Sequence, residues 1–327
     1  EKPSVAADIA RVLGAKEKKE GHYLGGGYAV TWALGHLLEI AQPEAMNAAW
    51  KKWDEATLPM LPAFWLYAPR DGAFKHLRAV SKLLREAELV VAATDAGREG
   101  EHIFRLIYEH SKSKAPVKRL WISSLTDEAI RGGFAALHAG SEFDALAEAA
   151  SARAHADWLV GLNATRAYTL RNGDKCTIGR VQTPTLALLV KRQQEIETFK
   201  SVPYAEIRVT LEPGFRARLL LDGKPRIDDL GRAKAIAAEI APLPSATVRG
   251  VETKEVRTCP PPLFNLLALQ KEANKRFGFT AARVLELAQS LYESKLLTYP
   301  RTESRHLSTD MVKDLSRHVA AIEHLYP

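Results

Sequence analysis

Residues 89–101 read LVVAATDAGREGE, and this stretch decides the fold. Residues 89–93 form a short unbroken apolar run, the pattern of a strand buried on both faces. After the polar residues that follow, Ile103, Phe104, Ile107 and Tyr108 recur at helical spacing, predicting a helix over 101–111. A buried strand that hands over to a helix is an α/β unit, and open α/β sheets place their sites beyond the carboxyl ends of such strands. Asp95, Glu99 and Glu101 are therefore expected to crowd one crevice. Clustered carboxylates repel unless a cation neutralises them, and an oxygen-only donor set suits Mg²⁺. Acidic residues also suit the positive end of a helix dipole without any metal, and the local pattern leaves both explanations open.

Toward the start of the chain, residues 3–13 (PSVAADIARVL) put Val5, Ile9, Val12 and Leu13 on one helical face, with Gly14 as the stop. Glu1 and Lys2 fall just before that helix. Residues 28–39 (YAVTWALGHLLE) predict a strand passing into a short helix that carries Trp32 and His36, with His36 in a structural role. Farther on, Trp50 and Trp53 flank Lys51 and Lys52. Aromatics beside lysines suit either stacking on bases or packing in a core.

In the other direction, residues 120–134 predict a strand and then a helix capped by Thr126. Residues 147–169 (AEAASARAHADWLVGLNATRAYT) are helical throughout, with Ala156, Leu159 and Val160 on the apolar face. Arg153, Asp157 and Arg166 do not fit that face, so they are either solvated or line a groove. At 178–196 a further helix is expected, with Thr183 as cap and Pro184 in its first position. Gly179, Arg180 and Gln182 then place donors at a helix N-terminus, a ready anion site. From Phe199 the pattern alternates with period two, and Pro213-Gly214 and Asp222-Gly223 supply turns, so a strand-dominated module with one helix at 232–240 is expected up to a linker at 259–262. Helices return after that, with Gly278 as a stop and Thr280 as a cap. They lead to LLTYPRTES at 296–304. Pro300 cannot continue a helix, so the Tyr299 phenol sits in a turn. Arg301 could grip a phosphate while the phenol oxygen attacks phosphorus; a structural tyrosine with Arg301 paired to Glu303 is the other explanation.

At 327 residues more than one domain is expected. The balance of 46 Lys plus Arg against 39 Asp plus Glu gives a net charge of +7, which favours polyanionic partners. Cys176 and Cys259 are far apart and lack metal-ligand spacing, which argues against a disulfide framework or a zinc site. No run reads as a membrane span or a signal peptide, so a cytoplasmic protein is expected. The chain opens without methionine, directly on a helix, and closes on HLYP, so it is expected to be part of a longer protein.

EKPS at the start, TDAGREGE from Thr94, ARAHADWLVGLNATRAYT from Ala152, IGRVQTPTLALLVKRQQEI from Ile178, LQKEANKRFGF from Leu269 and LLTYPRTES from Leu296 together resemble the type IA DNA topoisomerases, most closely the topoisomerase III branch. The resemblance implies a multidomain α/β plus α+β torus. A TOPRIM α/β domain would cover 1–118, the first part of a helical single-strand-binding domain 119–200, part of a β-rich arch 201–262, and part of the tyrosine-bearing domain 263–327. It implies an ATP-independent enzyme that cleaves one strand of DNA through a 5′-phosphotyrosine, passes a strand and religates. Tyr299 would be the nucleophile, Arg301 and Lys2 would stabilise the phosphate, and Glu1 would donate a proton to the leaving oxygen. Mg²⁺ would sit on Glu1, Asp95 and Glu99. The family's middle aspartate is replaced by Gly97, a loss for which Glu101 could compensate. Trp53, Arg153, Asp157, Arg166, Gly179, Arg180, Val181, Gln182 and Arg301 would contact DNA. The implied partners are single-stranded DNA, negatively supercoiled or catenated duplex and a helicase, with a monomer acting at the nucleoid. A TOPRIM primase or nuclease, and a single-strand-binding fragment with impaired catalysis, are the competing functions.

Overall fold

The apolar face of residues 3–13 forms as expected in a computed structural model, which describes residues 3–122, 124–212, 214–294, 296–297, 300, 302–307 and 309–323. The chain divides into two units, residues 1–184 with 264–327, and residues 185–263.

In the first unit, helix α1 (Pro3–Leu13) is followed by an antiparallel sheet of β1 (Glu17–Lys19), β2 (His22–Gly25) and β3 (Tyr28–Thr31), in that order. The β2–β3 turn is glycine by necessity. A Cβ on Gly26, whose φ is +59°, would lie 2.2 Å from the Leu13 carbonyl oxygen at the end of α1. Beyond β3 the expected short helix does not form. Gly35 has a φ of +72°, which ends any helical run, and from Leu38 the chain is already extended as a strand. The chain continues as β4 (Leu38–Ile40), helix α2 (Pro43–Met46), two short 3₁₀ turns, β5 (Tyr67–Pro69) antiparallel to β4, and helix α3 (Phe74–Glu86).

Strand β6 (Val90–Ala92) delivers the chain to α4 (Arg98–Ser111), which returns it to β7 (Val117–Arg119), parallel to β6. Helix α5 (Asp127–Ala135) then leads to β8 (His138–Ala139), antiparallel to β7. Alternation along β6 sets the layers. Val90 and Ala92 pack with Phe104 of α4, whereas Val91 and Ala93 pack with Ile9 of α1 and Ile130 of α5. The result is helices on both faces of a small mixed sheet whose β6–β7 pair is parallel, with β6 covered on both sides as the apolar run in 89–93 predicts. The strand expected from Leu120 lies slightly earlier, at β7, and Thr126 caps α5 as expected, its Oγ1 accepting from Ala129 N at 3.2 Å. A third cluster joins Ala33, Leu37 and Leu38 to Leu77 and Val80 of α3 and to Ile103, Leu106 and Ile107 of α4.

Helix α6 (Asp144–Asn172) runs unbroken for 29 residues to Gly173, whose φ is +79°, and packs along α4. Helix α7 (Gln182–Glu197) begins one residue before Thr183. Thr183 is thus inside the helix, where its Oγ1 accepts from Gly179 N at 3.0 Å, instead of being the cap that the sequence suggests.

The second unit contains the hairpin β9 (Arg208–Leu211) and β10 (Phe215–Arg218), then α8 (Leu230–Ile240) capped by Asp229. Pro213 lies outside the described residues, and Gly214 turns the hairpin with a φ of +101°. Asp222 and Gly223 have φ of +51° and +74° and close a Leu221–Lys224 bridge, the Asp-Gly turn read from the sequence. Regular strand is otherwise sparse, and residues 243–263 form no helix or strand.

The remaining helices, in the first unit, are α9 (Leu266–Phe277), α10 (Ala281–Glu293) and α11 (Leu315–Glu323). Gly278 ends α9 with a φ of +69°, and the Thr280 hydroxyl accepts from Arg283 N at 3.2 Å, as expected of a stop and a cap. Among the described residues no helix is long and apolar enough to cross a membrane.

The two central glycines of the β2–β3 turn separate close approach from backbone conformation. Gly27 has a φ of +81° but open space around a Cβ. Gly27→Ala is expected to cost about 1 kcal/mol in urea unfolding and Gly26→Ala about 3 kcal/mol or more. Equal losses would mean that the carbonyl of Leu13 does not select glycine.

Candidate functional site

The loop after β6 is held from below by one side chain that the sequence did not single out. Arg119, at the end of β7, is 1% exposed. Its Nη1 donates to the carbonyls of Ala92 at 2.9 Å, Thr94 at 2.7 Å and Leu120 at 3.0 Å, and its Nη2 to that of Asp95 at 2.7 Å. The guanidinium also lies 5.1 Å from the Trp121 ring centroid. Its charge is matched by Glu101, whose Oε2 is 3.0 Å from Arg119 Nε and whose Oε1 accepts from Arg105 Nε at 2.8 Å. Arg105 in turn reaches the Gly140 carbonyl and Asp144, each at 2.8 Å.

Glu101 is therefore not the compensating metal ligand that the sequence suggested. Its side chain is 1% exposed and its carboxylate is committed to two guanidinium groups. Spacing explains the miss: at about 100° per residue, positions two apart on a helix face opposite ways, so Glu99 and Glu101 diverge. Asp95 and Glu99 do reach the surface. They are oxygen donors at the mouth of the β6–α4 loop, and Mg²⁺ is held by one or two carboxylates with most of its waters kept, so the pair fits that ion. No group of three metal-binding side chains occurs among the described residues, and Glu1, the third expected donor, lies outside them. Gly97 is extended, with φ 179° and ψ 174°, and a Cβ there would meet nothing within 4 Å.

Glu99 has a fixed neighbour. His36 Nε2 donates to its Oε1 at 2.5 Å, and the His36 ring stands 6.0 Å from that of His102. Burial, and after it the facing His36, hold His102 below the usual imidazole value. These three residues form part of the wall of a cavity of about 440 Å³ that also has Tyr67, Arg153, Asp157 and Trp158 in its lining. Tyr67 Oη and His155 Nε2 are 2.9 Å apart, and the Trp65 and His155 rings stack at 3.9 Å and 1°. His36, Tyr67, His102 and His155 were not expected here; the only signal was their type, since spacing in the chain does not bring them together.

Of the residues expected to contact DNA, Arg153 and Asp157 share this cavity, and Arg180 reaches Asp157, Nε to Oδ1 at 2.5 Å and Nη2 to Oδ2 at 3.3 Å. Val181 and Gln182 are exposed. The Gly179 N–H, expected to face an anion, is taken by Thr183. Arg166 does not line the groove. It is 4% exposed, its Nη1 donates to the Trp50 carbonyl at 2.7 Å, and its guanidinium lies 5.2 Å from the Trp53 ring, so it props the Trp50–Trp53 segment against α6. Trp50 is buried beside Trp158, whereas Trp53 keeps an exposed edge. Tyr299, Arg301, Glu1 and Lys2 lie outside the described residues.

Residues 1–125 match the Toprim domain family, and residues 141–327, more than half of the chain, match the family described as DNA topoisomerase. The chain belongs to the DNA topoisomerase family. It is 46% identical over 328 residues to DNA topoisomerase 3 of Shouchella clausii, covering 99% of this chain and 45% of that protein. It is 44% identical over 325 residues to DNA topoisomerase 3 of Bacillus cereus, covering 98% of this chain and 44% of that one. The chain thus spans a little under half the length of the curated relatives that it matches. Full-length topoisomerase I from Thermotoga maritima shares the fold, with a TM-score of 0.63 at 24% identity over 98% of this chain and 52% of that one.

Removing the Arg119 side chain would leave Glu101 short of a partner and the loop carbonyls without their donor. Arg119→Ala is expected to lower unfolding free energy by about 3–5 kcal/mol in urea titration. A loss under about 1 kcal/mol would mean that Arg119 does not hold the loop.

Proposed function

We propose that this chain carries the DNA-cleaving half of a type IA topoisomerase of the topoisomerase III kind. The observation that carries the proposal is the shared cavity: one wall is Glu99 of the acidic loop and another is Arg153 and Asp157 of α6. An acidic centre thus adjoins a polar groove on a long helix, the arrangement that cleavage of a bound single strand requires. Identity of 43–46% to proteins named DNA topoisomerase 3, across nearly the whole chain, supports the same reading.

In this reading Tyr299 attacks a phosphodiester of single-stranded DNA. A bond forms between the phenol oxygen and phosphorus as the phenol gives its proton to water, the bond to the 3′ oxygen breaks, and that oxygen takes its proton from Glu1. The energy of the broken bond is kept in the phosphotyrosine, so religation needs no ATP. Lys2 and Arg301 stabilise charge on the phosphate as it builds. Arg153 and Arg180 hold the strand by its phosphates, with Trp53 offering a ring edge to a base. Asp95 and Glu99, joined by Glu1 once it has given up its proton, would hold Mg²⁺, which would supply positive charge to offset that of the phosphate. The TOPRIM domain ends near residue 118, and the helical, arch and tyrosine-bearing parts follow at the boundaries read from the sequence. The chain works on negatively supercoiled or catenated DNA in the cytoplasm.

Single-stranded DNA labelled at its 3′ end should become covalently attached to the protein, and Tyr299→Phe should abolish the adduct on a denaturing gel. An adduct of unchanged yield in that variant would exclude Tyr299 as the nucleophile. For the acidic loop, the extended backbone and open space at Gly97 admit a side chain without strain. Gly97→Asp is therefore expected to tighten Mg²⁺ binding in isothermal titration calorimetry. Coincident isotherms would mean that another group already completes the site.

A further inference from the structure

We infer that His36 is a positioning residue for Glu99, fixing which oxygen of that carboxylate is free to meet a divalent cation. The inference deepens the proposed function and rests on its assignment of Asp95 and Glu99 as cation donors.

The case begins with how rigidly the two partners are held. His36 follows Gly35, whose φ of +72° turns the β3–β4 loop back on itself. The next residues, Leu37 and Leu38, are each 2% exposed and pack with Ile103, Leu106 and Ile107 of α4. The Leu37 carbonyl also accepts from Arg70 N at 3.0 Å. Glu99 stands in the first turn of that same helix. Imidazole and carboxylate therefore ride on one hydrophobic cluster, and their contact does not depend on two independent surface side chains meeting. The His102 ring stands 6.0 Å from that of His36, edge to face, and both line the cavity.

The Glu99 side chain itself is 73% exposed. Without His36 it would sample several rotamers, and ordering it would be a cost of every binding event. With Oε1 accepting from Nε2–H, the remaining oxygen is the one presented, which favours a monodentate contact. That suits an ion that keeps most of its waters. Outer-shell hydrogen bonds of this kind are worth about 10–100-fold in metal affinity.

The test uses the 327-residue chain and Mn²⁺ as the probe, read by electron paramagnetic resonance of the free ion, with thermal unfolding in chelator as a control. His36→Ala should weaken Mn²⁺ binding about 10-fold or more, while His36→Gln, whose amide N–H can still donate, should stay within about 3-fold of the parent. Both variants should unfold in chelator at temperatures close to the parent's, which a purely structural role for His36 would not allow. If Asp95→Asn and Glu99→Gln weaken binding but His36→Ala leaves it unchanged or tightens it, the role of His36 is overturned and the cation site stands. If none of the carboxylate variants alters Mn²⁺ binding, the cation assignment itself fails and the inference falls with it.

Discussion

The buried contact between Arg119 and Glu101 is the constraint on which the rest of the site depends. A guanidinium at 1% exposure is costly unless its charge and its donors are all used. Here the charge is matched by Glu101, 3.0 Å from Nε, and Nη1 and Nη2 donate to main-chain carbonyls of β6, of the loop beyond it and of Leu120. The loop is thereby fixed through its backbone. Side chains at Asp95, Gly97 and Glu99 can vary without loss of the loop's path. A site built this way is shaped before any ion or DNA arrives, so binding energy need not be spent on ordering the backbone.

The same economy extends to the neighbouring helix. Arg105 joins Glu101 to the Gly140 carbonyl and to Asp144 at the start of α6, so one buried carboxylate links the acidic loop to the helix that carries Arg153 and Asp157. Farther along α6, Arg166 and Asn163 take hold of the segment containing Trp50 and Met60: Met60 N donates to Asn163 Oδ1 at 2.6 Å, and Asn163 Nδ2 to the Met60 carbonyl at 3.1 Å. Arginines that a composition-based view would count toward a polyanion footprint are thus partly internal struts. The +7 net charge overstates what faces a ligand to that extent.

What was legible in the sequence was local. Thr126, Thr280 and Gly278 act at helix ends through their own backbone and nearest neighbours, and the apolar run at 89–93 declares a strand covered on both faces. What was not legible depended on which face of a helix meets what. Arg153 and Asp157 are four apart and fall together, whereas Arg166 is thirteen residues beyond Arg153, about 220° around the helix, and points into the protein. Glu99 and Glu101 part company for the same reason. The loop at 32–37 was misjudged because an apolar pattern alone does not distinguish a short helix from a loop that runs into a strand, with Leu37 and Leu38 entering one core cluster.

These separations bear on how the loop accommodates a glycine at position 97, where the resemblance to type IA topoisomerases leads one to expect an acid. In an open, solvated loop, a missing carboxylate removes attraction for a cation but leaves no buried hole and no unpaired charge behind, since nothing lies within 4 Å of its would-be Cβ. The fold does not feel the change, because Arg119 holds the loop by its main-chain carbonyls and not by its side chains. Loss at Glu101 would be different in kind: it would leave the buried Arg119 charge without its carboxylate and take from Arg105 one of its two acidic partners, loosening both the loop and the start of α6. The two acidic positions of the Glu-Gly-Glu triplet at 99–101 are thus under opposite demands, one on the surface free to serve an ion and one in the core obliged to serve the protein. The glycine between them is buried as well, so the helix turns from solvent to core within these three residues.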